Sequence, residues 1–315
     1  MKAAVINSYG GTEVFQIANM ETPQINNNQL LVKVMATSIN PIDWKIRKGM
    51  LKLLTGNKFP LILGFDVSGE VVRVGDSVAD FQVGDAIYTS LNSLSGGAYA
   101  EYTAVDAKVA CPKPENLTHE QAAAVPLAAL TALQALRDKG KIQSGQEVLI
   151  NGASGGVGSF AVQIAKFFSA TVTAVCSAKN IELVKSLGAD RVIDYTRQDF
   201  TKEGVKYNLI FDVVGDRSFW SCQGSLTSNG VYVTTQPTPS YFGQSLLTAL
   251  FPGKKAKVIL LKSNASDLTF LKELIETDKL RPIIQHTYQL AQIAEAHSES
   301  ERGHVVGKLV VKVAD

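Results

Sequence analysis

The sequence predicts a two-domain α/β protein in which a doubly wound parallel sheet follows a β-rich first half. A chain of 315 residues exceeds one typical core. Residues 2 to about 110 read as short extended runs separated by Gly, Pro and Asp turns, whereas strands alternate with helices after Thr118. We therefore expect a β-rich domain at 1–120 and an α/β domain at 121–265, with residues 266–315 returning to complete the first.

The first half contains extended runs that suit a barrel or sandwich, at 30–34, 69–75 and 98–102. The stretch 120–132 is rich in alanine and predicts a helix. At this point the sequence pattern changes from short extended runs to alternating strands and helices. Beyond it we predict the strands 171–176, 191–194, 209–214, 231–234 and 256–261, with helices between them, such as 181–187 closed by Gly188. The remainder predicts a helix from 266, a strand led by Pro282, a helix at 290–297 and a last strand at 308–313.

An apolar run, a glycine-dense turn and an apolar-periodic helix follow one another over residues 148–166. Glycines at such a turn, here including Gly155, let the backbone bend sharply and leave room for a pyrophosphate near the main-chain N–H groups of the helix N-terminus. In this strand-and-helix context the turn predicts a Rossmann dinucleotide site, although a glycine corner can also serve packing alone. A phosphate-binding loop of nucleotidases is excluded because no Gly-Lys-Ser/Thr follows.

The second strand of the predicted Rossmann unit selects the nucleotide. An NAD site places an acidic residue at its end, whereas here Ser177, Lys179 and Asn180 follow without an acid. A hydroxyl, an ammonium and an amide suit a phosphate dianion, so we expect NADPH, with Tyr195 at the next strand end covering the same phosphate. The alternative is that Ser177 caps a helix, Lys179 is a surface cation and Tyr195 is a strand-end aromatic.

Composition excludes several other classes. A net charge of +2 is too small to indicate binding to nucleic acid. No apolar stretch is long enough for an integral membrane segment, and the chain starts without a secretory signal pattern. We therefore expect a cytoplasmic protein. The cysteines Cys111, Cys176 and Cys222 are too far apart for a zinc pattern and read as buried small hydrophobes. Short-chain dehydrogenases need a Tyr-x-x-x-Lys pair, which is absent.

Over nearly its whole length the chain resembles the medium-chain dehydrogenase/reductase superfamily. The matching segments are 36–45, 60–71, 126–131, the glycine turn, 187–190 and 307–311. Within the superfamily it resembles the quinone oxidoreductase and enone reductase branch, which shares the Asn-Pro-x-Asp-Trp-Lys string at 40–45. The resemblance implies a GroES-like catalytic domain joined to the Rossmann domain.

Zinc-dependent members carry a cysteine ligand where this chain has Asn40, and a His-Glu pair where it has Phe65 and Asp66. The cysteine quartet of a structural zinc is also missing, so we expect no metal. Without a Lewis acid, alcohol oxidation loses its usual mechanism. The expected reaction is hydride delivery from NADPH to a substrate that is already electrophilic, either a quinone or the C=C of an α,β-unsaturated carbonyl.

The resemblance also implies site residues. Asn40 and Lys45 would lie beside the nicotinamide and the substrate carbonyl and stabilise enolate charge, or Lys45 would bind the cofactor ribose. Alternatively Asn40 forms an Asn-Pro turn and Lys45 is a surface cation; Asp43 is assigned to local structure or to orienting Lys45. The further cofactor contacts implied are Thr131 at the carboxamide, Gly156 and Val157 at the pyrophosphate, Val214 at the adenosine, and Val233 and His304 at the nicotinamide, with a loop role as the alternative for His304.

Two further expectations concern partners. The strand 256–261 is apolar and would lie at a sheet edge, and the resemblance implies a homodimer formed there. The rival function is a non-catalytic NADPH-binding protein that senses redox state or acts through a partner. Turnover of small enones or quinones separates the two functions.

Overall fold

The structure is a computed structural model that describes residues 1–314 and divides the chain into two compact units. The first unit comprises Met1–Ala128, Lys262–Asp278 and Pro282–Asp315. The second comprises Ala129–Leu261 and Lys279–Arg281. The sequence-based boundaries at 120/121 and 265/266 thus fall eight and four residues from the boundaries of the compact units.

Sixteen strands are numbered in chain order within the described residues. They are β1 Lys2–Ile6, β2 Phe15–Asn19, β3 Gln29–Ile39, β4 Leu61–Ile62, β5 Asp66–Val74, β6 Ala86–Ser90, β7 Tyr102–Asp106, β8 Cys111–Pro112, β9 Glu147–Asn151, β10 Thr171–Cys176, β11 Arg191–Asp194, β12 Tyr207–Asp212, β13 Leu226–Thr234, β14 Lys255–Val258, β15 Ile284–Gln289 and β16 Lys308–Lys312.

The α-helices are numbered in the same way. They are α1 Pro41–Arg47, α2 Lys52–Thr55, α3 His119–Ala123, α4 Pro126–Leu133, α5 Gly156–Phe167, α6 Ile181–Ser186, α7 Phe219–Cys222, α8 Pro239–Ala249, α9 Ala265–Glu276 and α10 Ile293–Glu301. The single helix predicted over 120–132 is two helices, because Pro126 disfavours helical geometry at Val125 and starts α4 with its own ring. No helix among residues 1–314 is long and apolar enough to cross a bilayer.

The second unit contains one six-stranded parallel sheet in the order β11-β10-β9-β12-β13-β14. Numbered within the unit, this is 3-2-1-4-5-6, the order of dinucleotide-binding sheets. Its strands are nearly continuous apolar runs because helices cover both faces of such a sheet. Tyr207, Phe211 and Tyr232 are fully buried in its core.

The first unit contains a seven-stranded sheet in which β15-β16-β3-β5-β6-β8 are neighbours and β7 pairs with β3, and a small sheet β2-β1-β4. Of the extended run expected over 98–102, only Tyr102, the first residue of β7, belongs to a strand; residues 98–101 contain one isolated bridge, between Ala3 and Ala100. Gly96 and Gly97 adopt positive φ just before it, so the chain enters this segment from a tight turn. Its backbone bonds are single links instead, such as Ala4 N–H to Tyr99 O at 2.8 Å.

Candidate functional site

The carboxyl ends of the parallel strands form one edge of the second unit, and the predicted cofactor residues of that unit follow these ends. The order of the sheet reverses between β9 and β12, which is where ligands bind in open α/β sheets. The glycine turn follows β9, Ser177 follows β10, Tyr195 follows β11 and Val214 follows β12. Parallel pairing therefore brings together residues that lie more than 60 positions apart in the chain.

Two glycines of the turn are required by its geometry. Gly152 has φ 83°, and its N–H donates to Val175 O at 3.1 Å, which holds the turn on the neighbouring strand β10. A Cβ on Gly158 would lie 2.1 Å from the carbonyl oxygen of Gly152 and 2.8 Å from the Cα of Ala153. Because both obstacles are backbone atoms, only glycine permits this approach of helix α5 to the end of β9.

Gly155 differs from them, since the protein itself does not need a glycine there. It is the N-cap of α5 with extended φ −80° and ψ −178°, and a Cβ would meet nothing nearer than 3.6 Å. The first N–H groups of a helix have no acceptor within it, so the half-exposed start of α5 at Gly156 and Val157 presents N–H groups from which an anion can accept hydrogen bonds. The position that a Cβ of Gly155 would occupy is therefore open to a ligand.

The acid-free segment after β10 lies beside the start of the loop after β11. Cys176 pairs with Asp194, and the Tyr195 N–H donates to Cys176 O at 3.2 Å, so Ser177 and Tyr195 are neighbours. Lys179 is exposed and Tyr195 is 54% exposed. Ser177 occupies the N-cap of a short 3₁₀ helix, Ala178–Asn180, without a capping side-chain bond.

Asn180 is turned inward rather than outward. Its amide nitrogen donates to the hydroxyls of Ser154 at 3.0 Å and Ser177 at 3.3 Å. This links the glycine turn to the segment after β10. The amide predicted to contact a phosphate thus positions two hydroxyls in the structure, and the Ser177 hydroxyl can still donate a bond.

Two residues at this end were missed by the sequence analysis. Arg197 is 84% exposed and its guanidinium lies 4.0 Å from the Asp194 carboxylate. Asp194 could in principle repel a phosphate, but its carboxylate is turned back to accept from the Thr196 N–H at 3.0 Å and the Thr196 hydroxyl at 2.8 Å. An Asp at a strand end commonly makes such a local turn by accepting from the N–H two residues later, here that of Thr196.

A buried carboxylate organises the loop after β12. Asp212 accepts from the Asn151 amide at 2.9 Å, the Gly215 N–H at 2.9 Å and the Tyr232 hydroxyl at 2.7 Å. Burial raises the pKa of this carboxyl, and the three donors oppose the increase. Asn151 also donates to Asp216 at 2.9 Å, so the ends of β9, β12 and β13 are tied together. The strand predicted over 209–214 ends at Asp212 instead, so the acid at its end is not apparent from the predicted bounds.

The other predicted cofactor residues of the second unit lie in different surroundings. Val214 is 51% exposed at the sheet edge, as a ligand contact requires. Val233 is fully buried within β13, one residue before its end, so only its backbone could meet a ligand. Thr131 lies on α4 and is 8% exposed.

In the first unit Asn40 belongs to a buried polar cluster. Its amide nitrogen donates to Asp66 Oδ2 at 2.8 Å, and its amide oxygen accepts from Lys308 Nζ at 2.5 Å. The side chain predicted to face a substrate is 1% exposed, and both ends of its amide are engaged. Asn40 also stands at the N-cap of α1, where its N–H donates to Asp43 Oδ2 at 2.7 Å.

The contacts of the same cluster also show whether its residues could bind zinc. Lys308 Nζ lies 3.6 Å from Asp66 and donates to Ile39 O at 3.1 Å, so an ammonium already neutralises this carboxylate. Asp66 further accepts from the Ser38 hydroxyl at 2.6 Å and the Leu127 N–H at 2.7 Å. An amide, a phenyl ring at Phe65 and a carboxylate paired with lysine do not fit zinc, which prefers thiolate and imidazole ligands. Among residues 1–314 no group of three or more His, Cys, Asp or Glu is arranged to hold a metal.

Lys45 is the predicted catalytic group that remains half-buried. It lies on α1, and burial lowers the pKa of its ammonium. Asp43 points away from it into the core, where burial raises the pKa of the carboxyl to about 7. His304 is exposed in the loop between α10 and β16.

Comparisons with known proteins agree with this arrangement. The family described as alcohol dehydrogenase GroES-like domain matches residues 26–115, and that described as zinc-binding dehydrogenase matches residues 187–311. The chloroplast envelope quinone oxidoreductase homolog of Arabidopsis thaliana is 36% identical over 323 residues, which cover 99% of this chain and 98% of the relative.

Two further relatives extend the comparison. The chloroplastic NADPH-dependent alkenal/one oxidoreductase of Arabidopsis thaliana is 35% identical over 99% of this chain and 79% of its own length. The solved quinone oxidoreductase of Coxiella burnetii superposes with a TM-score of 0.92 at 36% identity, covering 100% of this chain and 99% of that one. The chain belongs to the medium-chain dehydrogenase/reductase superfamily and is an oxidoreductase that binds a nicotinamide cofactor.

Proposed function

We propose that the protein is a zinc-independent NADPH-dependent reductase of quinones or of the C=C bond of α,β-unsaturated carbonyl compounds. The observation that carries the choice of cofactor is the acid-free end of β10, where Ser177 and Lys179 lie beside Tyr195 while Asp194 is bonded to Thr196. Relatives named as quinone and NADPH-dependent alkenal/one oxidoreductases support the reaction class.

The residues of the second unit would hold the cofactor by its phosphates. The start of α5 at Gly156 and Val157 would bind the pyrophosphate with its N–H groups, and Gly155 would leave space for it. The Ser177 hydroxyl and the Lys179 ammonium would bind the 2′-phosphate, with the Tyr195 ring over it. When bound, NADPH supplies a hydride, which is the chemistry that no side chain can provide.

In the first unit we assign the electrostatic role to Lys45. Its ammonium is half-buried, and a charge in such surroundings stabilises a developing oxyanion better than one in water. Asn40 would act as a positioning residue, because it ties the start of α1 to Asp66 and Lys308. Lys45→Ala should lower kcat/KM; unchanged kinetic constants for both cofactor and substrate would remove Lys45 from the site.

The cofactor assignment is tested by replacing Ser177 with Asp and Lys179 with Ala. Loss of a charge-assisted bond and gain of a repelling carboxylate should lower the preference for NADPH over NADH, measured as the ratio of kcat/KM values, by about tenfold to a hundredfold. Lys185→Ala removes an exposed lysine on the following helix α6 and should leave the ratio unchanged. An unaltered ratio in the Ser177/Lys179 variant would refute the phosphate assignment.

The rival function makes a different prediction for the unmodified protein. A non-catalytic NADPH-binding protein would bind the cofactor tightly yet consume none of it with enals, longer enones, cyclic enones or quinones. Consumption of NADPH with any of these classes supports the reductase. The same panel distinguishes a quinone preference from an enone preference.

We also propose that the protein forms a homodimer through β14, the last strand of the parallel sheet. Lysines on an edge strand often prevent pairing, but here Lys257 Nζ is bonded to Lys139 O at 3.0 Å and Lys255 Nζ to Thr248 O at 2.8 Å. Leu250 and Phe251 beside the strand are 72% and 60% exposed. Light scattering at micromolar protein should give the mass of a dimer, and a monomer would refute this proposal.

A cytoplasmic location remains our prediction, testable by fractionation of cells; several relatives are named as organellar proteins.

A further inference from the structure

The segment from α1 through α2 has an unusual distribution of charge. Residues 44–65 contain five basic side chains and no acidic one. Two of the five, Arg47 and Lys48, are paired with Glu301 of α10, and the charge of Glu13 also acts on Arg47. Lys52 and Lys58 are exposed, and Lys45 is half-buried. The segment is therefore positively charged although the whole chain carries only +2.

The same segment exposes large apolar side chains on one face. Met50, Leu53 and Leu54 are 64%, 95% and 64% exposed. Leu53 and Leu54 lie on α2, and Met50 lies in the turn just before it. Single exposed apolar side chains are ordinary, but three large ones within five residues form a local apolar cluster at the surface.

The base of this turn is anchored, so the apolar side chains face outward from a fixed support. The Tyr9 hydroxyl bonds with the Thr55 hydroxyl at 2.7 Å and with the Gly56 carbonyl, and the Tyr9 ring packs on Phe59 at 5.0 Å. Gly49 and Gly56 have positive φ of 76° and 71° at the two ends of the turn. The chain is thus held at its base while Leu53 is almost wholly exposed.

We infer that this basic–apolar surface, comprising Met50, Lys52, Leu53, Leu54 and Lys58, docks on a lipid bilayer that contains anionic lipids. Charge complementarity carries the choice: the lysines match acidic head groups, and the leucines and methionine insert at the boundary of the acyl chains. Protein interfaces are depleted in lysine and enriched in aromatic residues, arginine and methionine, and of the enriched types this surface presents only Met50. Docking goes beyond the proposed reaction and does not depend on it, because it needs neither turnover nor substrate.

The test is co-sedimentation of the full-length protein, with and without NADPH, with vesicles of phosphatidylcholine alone or mixed with phosphatidylglycerol. We expect binding to the mixed vesicles that weakens with added salt, since each lysine near the surface contributes about fivefold in affinity. Lys52→Glu with Lys58→Glu should lower the affinity at least about tenfold. Leu53→Asp with Leu54→Asp should do the same at constant salt.

Matched control variants distinguish binding through this surface from nonspecific binding of the protein to vesicles. Val83→Asp alters an apolar side chain of similar exposure, 65%, and Lys185→Glu alters an exposed lysine of the second unit; neither should change vesicle binding. Circular dichroism verifies that each variant is folded. Absence of binding to the mixed vesicles, or equal binding by the Leu53/Leu54 variant and the unmodified protein, would overturn the inference. So would a Leu53/Leu54 variant that keeps its vesicle binding but shows a raised KM for a small enone, because the surface would then belong to the substrate site.

Discussion

Two glycines three residues apart in the same turn should respond in opposite ways to the same substitution. In Gly158→Ala the new Cβ would lie 2.1 Å from a backbone oxygen, more than 1 Å inside ordinary contact, and the obstacle cannot rotate away. Overpacking costs about 1–3 kcal/mol, and an immovable obstacle favours the upper end of that range. Alanine regains about 1 kcal/mol of helix propensity, so we expect a net loss of about 2 kcal/mol and a Tm lower by roughly 4–8 °C.

Gly155→Ala meets no such obstacle. The nearest atom to its Cβ would be 3.6 Å away, and its φ of −80° is open to any residue. Stability should therefore change by no more than about 0.5 kcal/mol. If the pyrophosphate lies over Gly155, however, the methyl group takes its place, and NADPH should bind at least about tenfold more weakly, or about 1.4 kcal/mol.

The assay measures thermal unfolding without cofactor and the Kd of NADPH by titration for both variants. Gly224→Ala is the control, because a Cβ there meets nothing within 4 Å and the residue lies away from the sheet edge that carries the turn. Unchanged NADPH affinity in Gly155→Ala would refute the placement of the pyrophosphate. An unchanged Tm in Gly158→Ala would refute the packing argument.

Three further predictions concern buried ionisable groups. The carboxyl of Asp43, with its pKa raised from 3.8 to about 7, binds a proton more tightly in the folded state, so stability falls as pH rises from about 4 to 7, by up to roughly 4 kcal/mol. Asp43→Asn should abolish this fall in urea titrations across that range, and parallel profiles of variant and unmodified protein would contradict it. His297, whose pKa burial lowers to about 3, acts with the opposite sign, so stability is lost as pH falls below about 6.5, and His297→Gln should flatten this acid limb. Lys308→Met leaves Asp66 buried and unpaired and should cost about 3–5 kcal/mol, part of which Asp66→Asn restores in the double variant; additive losses would show that the pair is not coupled.

The cofactor half of the protein was readable from sequence because its signals are local. A strand, a glycine turn and a helix follow one another without interruption at 148–166, and β10 and β11 have the predicted bounds. Other predicted bounds were wrong, such as those of the strand 209–214. There a polar residue ends the hydrogen-bonded pairing of the strand earlier than the apolar pattern indicates. Asp212 is the last residue of β12 because its carboxylate closes the loop back onto the Gly215 N–H.

The polar cluster of the first unit could not be read in this way, since its members meet only through long-range pairing. Lys308 reaches Asn40, 268 positions earlier, because β16 runs antiparallel to β3 with Leu309 opposite Ile39. Asp66 joins them because β5 lies on the other side of β3. In the sequence Lys308 is merely the first residue of an apolar strand, where a lysine normally indicates exposure rather than burial.

The contacts of that cluster support the proposal that the protein needs no zinc. At the positions where zinc-dependent relatives place a ligand cysteine and the glutamate that follows the ligand histidine, this chain has an amide and a carboxylate. Lys308 joins the two through its ammonium. Lys308 is 3% exposed and its ammonium is bonded within the cluster, so we propose that it holds the cluster together rather than acting on a substrate. Under the function proposed above, the half-buried Lys45 would act on the oxygen of a quinone or an enone, while Lys308 would hold Asn40 and Asp66 in place.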